Sequence, residues 1–327
     1  MPSLHLSVRR YRRPFRQPLL THHGPWAERT GLILRVVSTE GGVGFGEVAP
    51  IPWFGTETLE AALAYCQHLD VHPTYTALQN TPDTLPACQF GLHSALAQLQ
   101  HPPRRVEPFP LQPEHICALL PTGAAALNVW QPLWAAGHRT FKWKIGLASP
   151  AQEQADLAKL VAALPQSAKL RLDANGGLTV AEADAWLQHC AALGRKIAFL
   201  EQPLSPAQWP ELQRLGDRYG PLVALDESVA TVTQLAQTWA AGWPGTVVIK
   251  PAIAGHPQRL QALCRQYAFP AVFSSALCTM IGRQAALAMA TRLDPNHQQA
   301  LGFGVNQWFQ DDWETLSAAE LWDQLPP

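Results

Sequence analysis

The pattern of apolar residues divides the chain into two parts. In the first hundred residues, three segments carry strand signals, and in the first of these Leu4, Leu6 and Val8 alternate with polar residues. The strands are predicted at residues 4–11, 31–37 and 43–48, and helical spacing predicts helices at residues 57–69 and 88–99. Strands followed by helices in separate blocks predict an α+β domain over residues 1–100.

A proline-rich run marks the end of this first part. Five prolines fall between positions 102 and 113, and proline interrupts both helices and sheet ladders. Beyond it, short apolar runs recur, each followed by a helical segment, which predicts parallel strands joined by helices. The eight runs lie at residues 116–120, 140–145, 169–172, 197–200, 222–225, 246–249, 271–273 and 299–303.

Eight strand–helix repeats predict a closed (β/α)8 barrel of the TIM type over residues 114–304. The remaining residues, 305–327, contain a helical pattern at 313–325. We expect this tail to pack back on the N-terminal domain. The predicted fold class is therefore α/β, with a barrel that follows an N-terminal α+β domain.

Composition narrows the classes of function. With 24 basic and 25 acidic residues among 327, the net charge is −1, whereas nucleic-acid-binding proteins carry a large positive excess. No apolar stretch has the length of a membrane span, and the N-terminus lacks a signal-peptide core. The six cysteines are scattered without CxxC spacing, so we expect reduced thiols and a cytoplasmic location. The expected partner is a small molecule, not a nucleic acid or a membrane.

Five successive barrel strands are predicted to end in a charged residue. These residues are Lys144, Asp173, Glu201, Asp226 and Lys250, and they follow one another at intervals of 24 to 29 residues. Each interval matches one strand–helix repeat, so the side chains return to the same rim of the barrel, where active sites of this fold lie. Lys142 lies two residues before Lys144 and therefore points to the same side of its strand.

This set of residues suits one kind of chemistry. Three carboxylates on adjacent strands would repel one another, and a hard divalent cation such as Mg²⁺, or the similar ion Mn²⁺, resolves that repulsion. Lysines on both sides of the carboxylates would place an ammonium group on either face of a metal-bound substrate. Such a site suits removal of a proton beside a carboxylate, which produces an enediolate with two negative oxygens.

Each residue taken alone also has a simpler structural explanation. Asp173 and Asp226 precede helical segments and fit helix caps, while Asn175 and the pair Ser274 and Ser275 fit turns. The glycines of residues 42–46 do not open a helix in a βαβ unit, so they do not predict a dinucleotide site. The ordered set at five successive strand ends is what favours a shared site.

The motifs also resemble a known family. Lys-x-Lys, Asp-Ala-Asn-Gly, Glu-Gln-Pro, Asp-Glu-Ser and Ile-Lys-Pro, in this order, are similar to those of the enolase superfamily, its muconate-lactonizing subgroup and, within that, the o-succinylbenzoate synthase family. The resemblance covers essentially the whole chain. It implies that residues 1–100 are a capping domain over the barrel mouth. It further implies a magnesium-dependent lyase that forms o-succinylbenzoate for menaquinone or phylloquinone synthesis by syn elimination of water.

The resemblance also implies a role for each residue of the motifs. Asp173, Glu201 and Asp226 would be the metal ligands. Lys144 would be the acid and base, supported by Lys142, and Lys250 would stabilise the enediolate from the opposite face. The residues implied to surround this centre are Ser274, Ser275 and Asn175 as substrate contacts and Glu227 beside the metal ligands. Trp26, Trp53 and the adjacent histidines His22 and His23 are weaker candidates for substrate contact.

Other functions remain open at this point. An N-acylamino acid racemase or dipeptide epimerase of the same superfamily uses both lysines as bases, so the lysines do not discriminate. Residues 302–306 read Gly-Phe-Gly-Val-Asn, where dipeptide epimerases carry a paired-aspartate signature, and the chain is shorter than typical racemases of the subgroup. A Schiff-base aldolase using Lys144, or a non-catalytic binding barrel, would leave the three carboxylates without a role.

Overall fold

The N-terminal unit is a three-stranded antiparallel sheet with three helices. The computed structural model describes residues 3–21, 24–100, 111–267, 270–295 and 298–327. The sheet has the order β1 (Leu4–Thr21), β2 (Gly24–Ser38), β3 (Val43–Val48), and the helices are α1 (Leu59–His68), α2 (Tyr75–Gln79) and α3 (Pro86–Gln100). Strands β1 and β2 are longer than predicted, because the hairpin continues through a register shift between Pro14 and Leu19.

Glycines in β3 allow helix α3 to lie directly on the sheet. A Cβ atom at Gly44 would lie 2.1 Å from the main-chain oxygen of Ala95, and one at Gly46 would lie 1.9 Å from that of Gly91. Only glycine permits such a close approach of two backbones. The glycines of residues 42–46 therefore serve helix–sheet packing.

The second unit is a curled parallel sheet surrounded by helices, which confirms the predicted barrel class. The strands, in their order in the sheet, are β4 (Ala118–Leu119), β5 (Thr140–Lys144), β6 (Lys169–Asp173), β7 (Ile197–Glu201), β8 (Val223–Leu225), β9 (Thr246–Ile249) and β10 (Ala271–Phe273). The eighth predicted strand is not a regular strand. Instead Leu301 forms a parallel bridge with Ile116 and Gly302 forms one with Ser274, so residues 301–302 lie between β10 and the segment before β4.

Most helices of this unit begin with a serine or threonine cap or with a proline in the first turn. They are α4 (Trp130–Ala135), α5 (Pro150–Ala163), α6 (Val180–Leu193), α7 (Trp209–Tyr219), α8 (Val232–Ala240), α9 (Pro251–Ala254), α10 (Pro257–Tyr267), α11 (Met280–Leu293) and α12 (Ala318–Gln324). The Thr179 hydroxyl oxygen, for example, accepts from the Glu182 amide, and the Thr179 amide donates to the Glu182 carboxylate. This capping box starts α6. Among the described residues no helix combines the length and apolar composition of a membrane span.

Alternation along β5 separates the core from the barrel interior. Phe141 and Trp143 are buried and belong to the same cluster as Leu157 of α5. Lys142 and Lys144 point to the opposite side of the strand, as a two-residue period requires, and line an internal cavity. The sequence of this strand thus determines which residues face the site.

The C-terminal tail contacts the N-terminal unit. The helix predicted at 313–325 is shorter than expected: a 3-10 turn at Trp313–Thr315 precedes α12. Leu321 and Trp322 of α12 share a buried cluster with Tyr11 and Phe45 of the N-terminal sheet. The interruption follows from Ser317, which caps α12 by accepting from the Glu320 amide and so starts a new helix there.

Candidate active site

A cavity of about 880 Å³ lies at the carboxyl ends of the barrel strands. The barrel provides its floor, and residues of the N-terminal unit, including Trp26, Trp53 and Phe54, provide one wall. Gln307 and Trp308 line it from the segment after the barrel. The cavity is thus enclosed by both units, at the end of the barrel where the charged strand ends meet.

The structure brings the six predicted charged residues together in this cavity. We call them the charged rim: Lys142, Lys144, Asp173, Glu201, Asp226 and Lys250. The parallel register explains their meeting, because Asp173 of β6 lies opposite both Lys144 of β5 and Glu201 of β7. The three carboxylates are almost completely buried, with exposed fractions of 2–3 %.

Two lysines lie directly against the carboxylates. Lys142 Nζ lies 2.8 Å from Asp173 Oδ2 and 2.7 Å from Glu201 Oε1. On the other side of the cluster, Lys250 Nζ forms a short ion pair with Asp226 and lies 4.5 Å from the centre of the Phe54 ring. The rim therefore has ammonium groups on opposite sides of its carboxylates.

The pKa values show how the charges of the rim compete. Burial raises the pKa of Glu201 to about 7 and that of Asp226 to about 6, against the partial compensation from Lys142 and Lys250 respectively. Burial acts in the same direction on Asp173, but the charges of Lys142 and Lys144 outweigh it and lower its pKa. Two of the three carboxylates thus lack enough positive charge for their depth of burial.

The donor set fits a hard divalent cation. In the parts of the chain that the structure describes, no three ligating side chains are already grouped around one point as a formed metal site. The Lys142 ammonium instead bridges Asp173 and Glu201. Oxygen ligands that are buried and short of positive charge are what Mg²⁺ prefers. The rim therefore has the ligand chemistry for such an ion.

Gln202 organises the rim, although the sequence analysis gave it no role. It is fully buried, and its Oε1 accepts hydrogen bonds from the main-chain amides of Asp226 (2.9 Å) and Ser228 (3.2 Å). Its φ of 38° is unusual for a residue other than glycine. The sequence held one indication of this role, because Gln202 directly follows Glu201 in the Glu-Gln-Pro motif. A buried side-chain amide at a strand end needs hydrogen-bond partners from the neighbouring strand or its continuation.

The remaining predicted residues surround the rim. Asn175 donates its side-chain amide to Glu227 Oε1 at 3.2 Å, and its own main-chain amide donates to Asp173 Oδ1 at 3.0 Å. Ser275 Oγ accepts from the Leu277 amide at 2.9 Å, and Ser274 Oγ lies 3.3 Å from the Gly302 carbonyl oxygen. All four predicted side chains line the cavity. His22 and His23 lie outside the described residues.

Aromatic residues and one arginine complete the lining. Trp26 and Trp53 meet edge to face with ring centres 4.9 Å apart. Phe54, which the sequence analysis did not single out, contacts the Lys250 ammonium. Arg171 was also missed: it lies two residues before Asp173 on β6, is buried, and its Nε has no hydrogen-bond partner among the described residues. The alternation Arg171-Leu172-Asp173 was the signal that both charged side chains face inward.

Comparison with known proteins identifies the family. Residues 4–99 match the family model described as MenC, N-terminal domain, and residues 126–318 match the model described as enolase C-terminal domain-like. The chain is 44 % identical over 320 residues to the o-succinylbenzoate synthase of Thermosynechococcus vestitus, covering 96 % of this chain and 97 % of that protein.

Solved structures agree with the sequence matches. The crystal structure of o-succinylbenzoate synthase from Thermosynechococcus elongatus, complexed with magnesium in its active site, covers 98 % of this chain and all of its own, with TM-score 0.88 and 42 % identity. N-succinyl Arg/Lys racemase from Bacillus cereus, at TM-score 0.79 over 95 % of this chain and 89 % of its own but only 15 % identity, shares the fold alone. The chain belongs to the o-succinylbenzoate synthase family of the enolase superfamily.

Proposed function

We propose that this protein is a Mg²⁺-dependent lyase that converts 2-succinyl-6-hydroxy-2,4-cyclohexadiene-1-carboxylate to o-succinylbenzoate in menaquinone or phylloquinone biosynthesis. The observation that carries the proposal is the placement of lysines on both sides of three buried carboxylates. The 44 % identity with a relative of that name supports this substrate over others of the superfamily.

Asp173, Glu201 and Asp226 would hold the magnesium ion. The similar solved structure named above contains magnesium in its active site, which supports this choice of metal. When bound, the ion supplies positive charge for the two carboxylate oxygens on which negative charge develops as the neighbouring proton leaves.

The lysines would move the proton and balance the charge. Lys144 removes the proton from the ring carbon that carries the carboxylate, and Lys250 stabilises the developing negative charge from the opposite face. Lys142 holds Asp173 and Glu201 beside Lys144. The carbon–oxygen bond to the hydroxyl group then breaks, and Lys144 returns its proton to the departing hydroxide as water. One base on one face implies syn elimination.

The residues around the rim would bind the rest of the substrate. Ser274, Ser275 and Asn175 are proposed substrate contacts, and Glu227 holds Asn175. Arg171 adds a buried positive charge to the lining of the cavity, which suits a substrate with two carboxylates. The apolar faces of the aromatic wall suit its ring.

The two units would divide these tasks. We propose residues 1–100 as a capping domain that covers the mouth of the barrel over residues 114–304, with the tail 305–327 joining the two. The walls that each unit contributes to one cavity support this division. We also propose a cytoplasmic location, which six unpaired cysteines support.

Proton magnetic resonance in deuterated water tests the function against its nearest alternative. The purified protein with Mg²⁺ would be offered the cyclohexadiene substrate in one sample and N-acylamino acids or dipeptides in others. We expect rapid appearance of the aromatic o-succinylbenzoate signals and slow or no exchange of α-protons in the other samples. Efficient α-proton exchange without formation of o-succinylbenzoate would contradict the proposal and assign a racemase or epimerase.

A further inference from the structure

The loop after β10 forms a wall of the cavity in a strained conformation. Residues 274–277 line the cavity, and Leu277 has a φ of 59°. A branched side chain rarely adopts this left-handed conformation, which persists only where the surroundings impose it. Within the loop, the Leu277 amide donates to Ser275 Oγ. The barrel holds the start of the loop, where the Ser274 amide donates to the Ile249 carbonyl oxygen and the Ser275 amide to that of Gly302. Around and beyond Leu277, further contacts come from the N-terminal unit.

Two arginines bind the loop on either side of Leu277. Arg29 Nε donates to the Ala276 carbonyl oxygen and Arg13 Nη1 donates to the Cys278 carbonyl oxygen, each at 3.1 Å. Arg13 and Arg29 lie directly opposite each other on β1 and β2, and their side chains are 0 % and 2 % exposed. The antiparallel register thus places two guanidinium groups against one barrel loop.

The two arginines are held in different ways. Arg13 pairs with Asp311 and Glu314 of the tail, at 3.0 Å and 3.1 Å. Arg29 instead donates to four main-chain carbonyl oxygens. These belong to Thr30, Ala49, Pro50 and Ala276. A lysine could not reproduce this set, because only the planar guanidinium fork donates in several fixed directions.

Glu47 of β3 fixes the far end of the same loop. Its carboxylate accepts from the Thr279 amide at 3.0 Å and from the Gly282 amide at 2.9 Å, and so caps helix α11 from another unit. Tyr11 donates its hydroxyl to Glu47 at 2.6 Å. Strand β3 ends at Val48, and its continuation carries the carbonyls that Arg29 binds and then Trp53 and Phe54 of the cavity wall.

We propose that Arg13, Arg29 and Glu47, which we call the clamp, are positioning residues that hold loop 274–279 in its substrate-binding conformation. The N-terminal unit then shapes the barrel side of the pocket as well as covering it. Arg29 is central, because one guanidinium binds Ala276 of the barrel loop and Ala49 and Pro50 of the covering segment. The inference concerns substrate binding and in that respect rests on the proposed function.

Arg29→Lys is the direct test. The lysines and carboxylates of the charged rim lie on β5 to β7 and just after β8 and β9, outside the loop, so we expect the chemical step to be preserved. We expect the KM for the cyclohexadiene substrate to rise about tenfold, with kcat within about threefold of the unchanged protein. Arg12→Lys on the same hairpin is the matched control, since Arg12 is exposed and pairs with Glu28. An unchanged KM in folded Arg29→Lys would overturn the proposal.

A double-substitution cycle tests whether the clamp acts through Leu277. Glycine adopts a positive φ without strain, so Leu277→Gly removes the need for external restraint. We expect Arg29→Lys to raise KM less than about threefold in the Leu277→Gly background, against about tenfold in the leucine background. Equal effects in both backgrounds would show that Arg29 does not act through this residue and would overturn the proposed route.

Amide hydrogen exchange separates failure of the clamp from failure of the proposed function, because it needs no substrate. The Leu277 and Thr279 amides are hydrogen-bonded to Ser275 and Glu47. We expect their exchange to be faster in Arg29→Lys than in Arg12→Lys, even if the protein turns over another substrate. Unchanged exchange would overturn the clamp. If Arg29→Lys does not fold, Arg13→Lys, which keeps a charge beside Asp311 and Glu314, undergoes the same measurements with the same expected outcomes.

Discussion

The charged rim and the clamp are both groups of buried charges, but they differ in how far those charges are satisfied. Burial raises the pKa of Glu201 to about 7 and of Asp226 to about 6 in the rim, where carboxylates lie close together. In the clamp, the Glu47 carboxylate accepts from Tyr11, the Thr279 amide and side chain, and the Gly282 amide. The rim therefore needs a ligand, whereas the clamp is complete without one.

The same contrast separates chemistry from architecture. Buried polar groups that satisfy one another hold two elements in a fixed relation. Buried carboxylates that repel one another are kept where a cation or substrate will supply the missing charge. The rim lines the cavity, and the clamp lies behind it and contacts a loop of the cavity wall. This protein therefore uses buried charge in both ways around a single site.

The largest expected effect is that of Lys144→Ala. We expect kcat for dehydration to fall by about 10⁴-fold, because the residue would both remove and return the proton. Circular dichroism and the melting temperature should stay close to those of the unchanged protein, because the Lys144 side chain lines the cavity and is not part of the apolar core. Lys159→Ala is the control, because Lys159 is an exposed lysine on α5. A loss of melting temperature that matches the loss of activity would place Lys144 among structural residues.

Glu201→Gln is expected to have the next largest effect. The substitution removes one charge from the proposed ligand set, and we expect affinity for Mg²⁺ to fall by about 100-fold or more, with turnover falling in proportion at limiting Mg²⁺. Calorimetric titration with Mg²⁺ measures the affinity directly. Undiminished Mg²⁺ affinity would exclude Glu201 as a ligand and would remove the distinction between the rim and the clamp.

Glu47→Gln should affect stability instead of metal binding. The glutamine amide cannot accept from all of the Thr279 and Gly282 donors, so we expect unfolding free energy to fall by about 2–4 kcal/mol. Affinity for Mg²⁺ should not change, because Glu47 lies outside the rim. Denaturant unfolding and Mg²⁺ titration measure the two quantities, with Glu40→Gln on the exposed turn as the control. A stable variant with weakened Mg²⁺ binding would reverse the roles given to the two groups.

The smallest expected effect concerns another contact between the N-terminal unit and the barrel. His93 of α3 and His256 have ring centres 3.9 Å apart, and burial together with the charge of His256 lowers the pKa of His93 to about 4. A histidine with a lowered pKa stays neutral in the folded protein, while the unfolded chain takes up a proton below about pH 6.5. Stability should therefore fall as the pH drops from about 6.5 to 4.

The size of this effect is about 1 kcal/mol after allowance for solvent screening. Unfolding measured at several pH values between 4 and 7 tests it, with His93→Gln as the variant that lacks the titrating group. The two proteins should differ in slope over this range and run parallel above it. If the unfolding free energies of the two proteins depended on pH in the same way, the contact between His93 and His256 would not contribute to stability as predicted.

The sequence predicted the regular parts of the molecule because periodicity is local. Seven barrel strands lie at predicted runs, with β6 and β7 one residue longer at their carboxyl ends. The charged strand ends meet because each repeat returns the chain to one rim. The eighth strand reduces to bridges at Leu301 and Gly302. Gly302 packs closely on Ser274, because a Cβ atom there would lie 2.4 Å from Ser274 Oγ.

Long-range polar contacts were beyond the sequence. Arg13 is one of five arginines between positions 9 and 16, yet it is buried and donates to the Cys278 carbonyl oxygen in the barrel. The two-residue period places Arg13 on the same face as buried Tyr11 and Phe15, but it does not reveal which groups lie opposite the guanidinium. The role of Gln202 could likewise not be predicted beyond its place in a motif, because its partners follow the next strand of the barrel. Such roles depend on what tertiary folding brings opposite a side chain.

One measurement tests the central claim most directly. Purified protein is mixed with 2-succinyl-6-hydroxy-2,4-cyclohexadiene-1-carboxylate, and the ultraviolet absorbance is followed with Mg²⁺, after chelation, and after Mg²⁺ is restored. The account predicts conversion to o-succinylbenzoate that stops on chelation and returns with Mg²⁺. A folded protein that binds Mg²⁺ and leaves this substrate unchanged would contradict it.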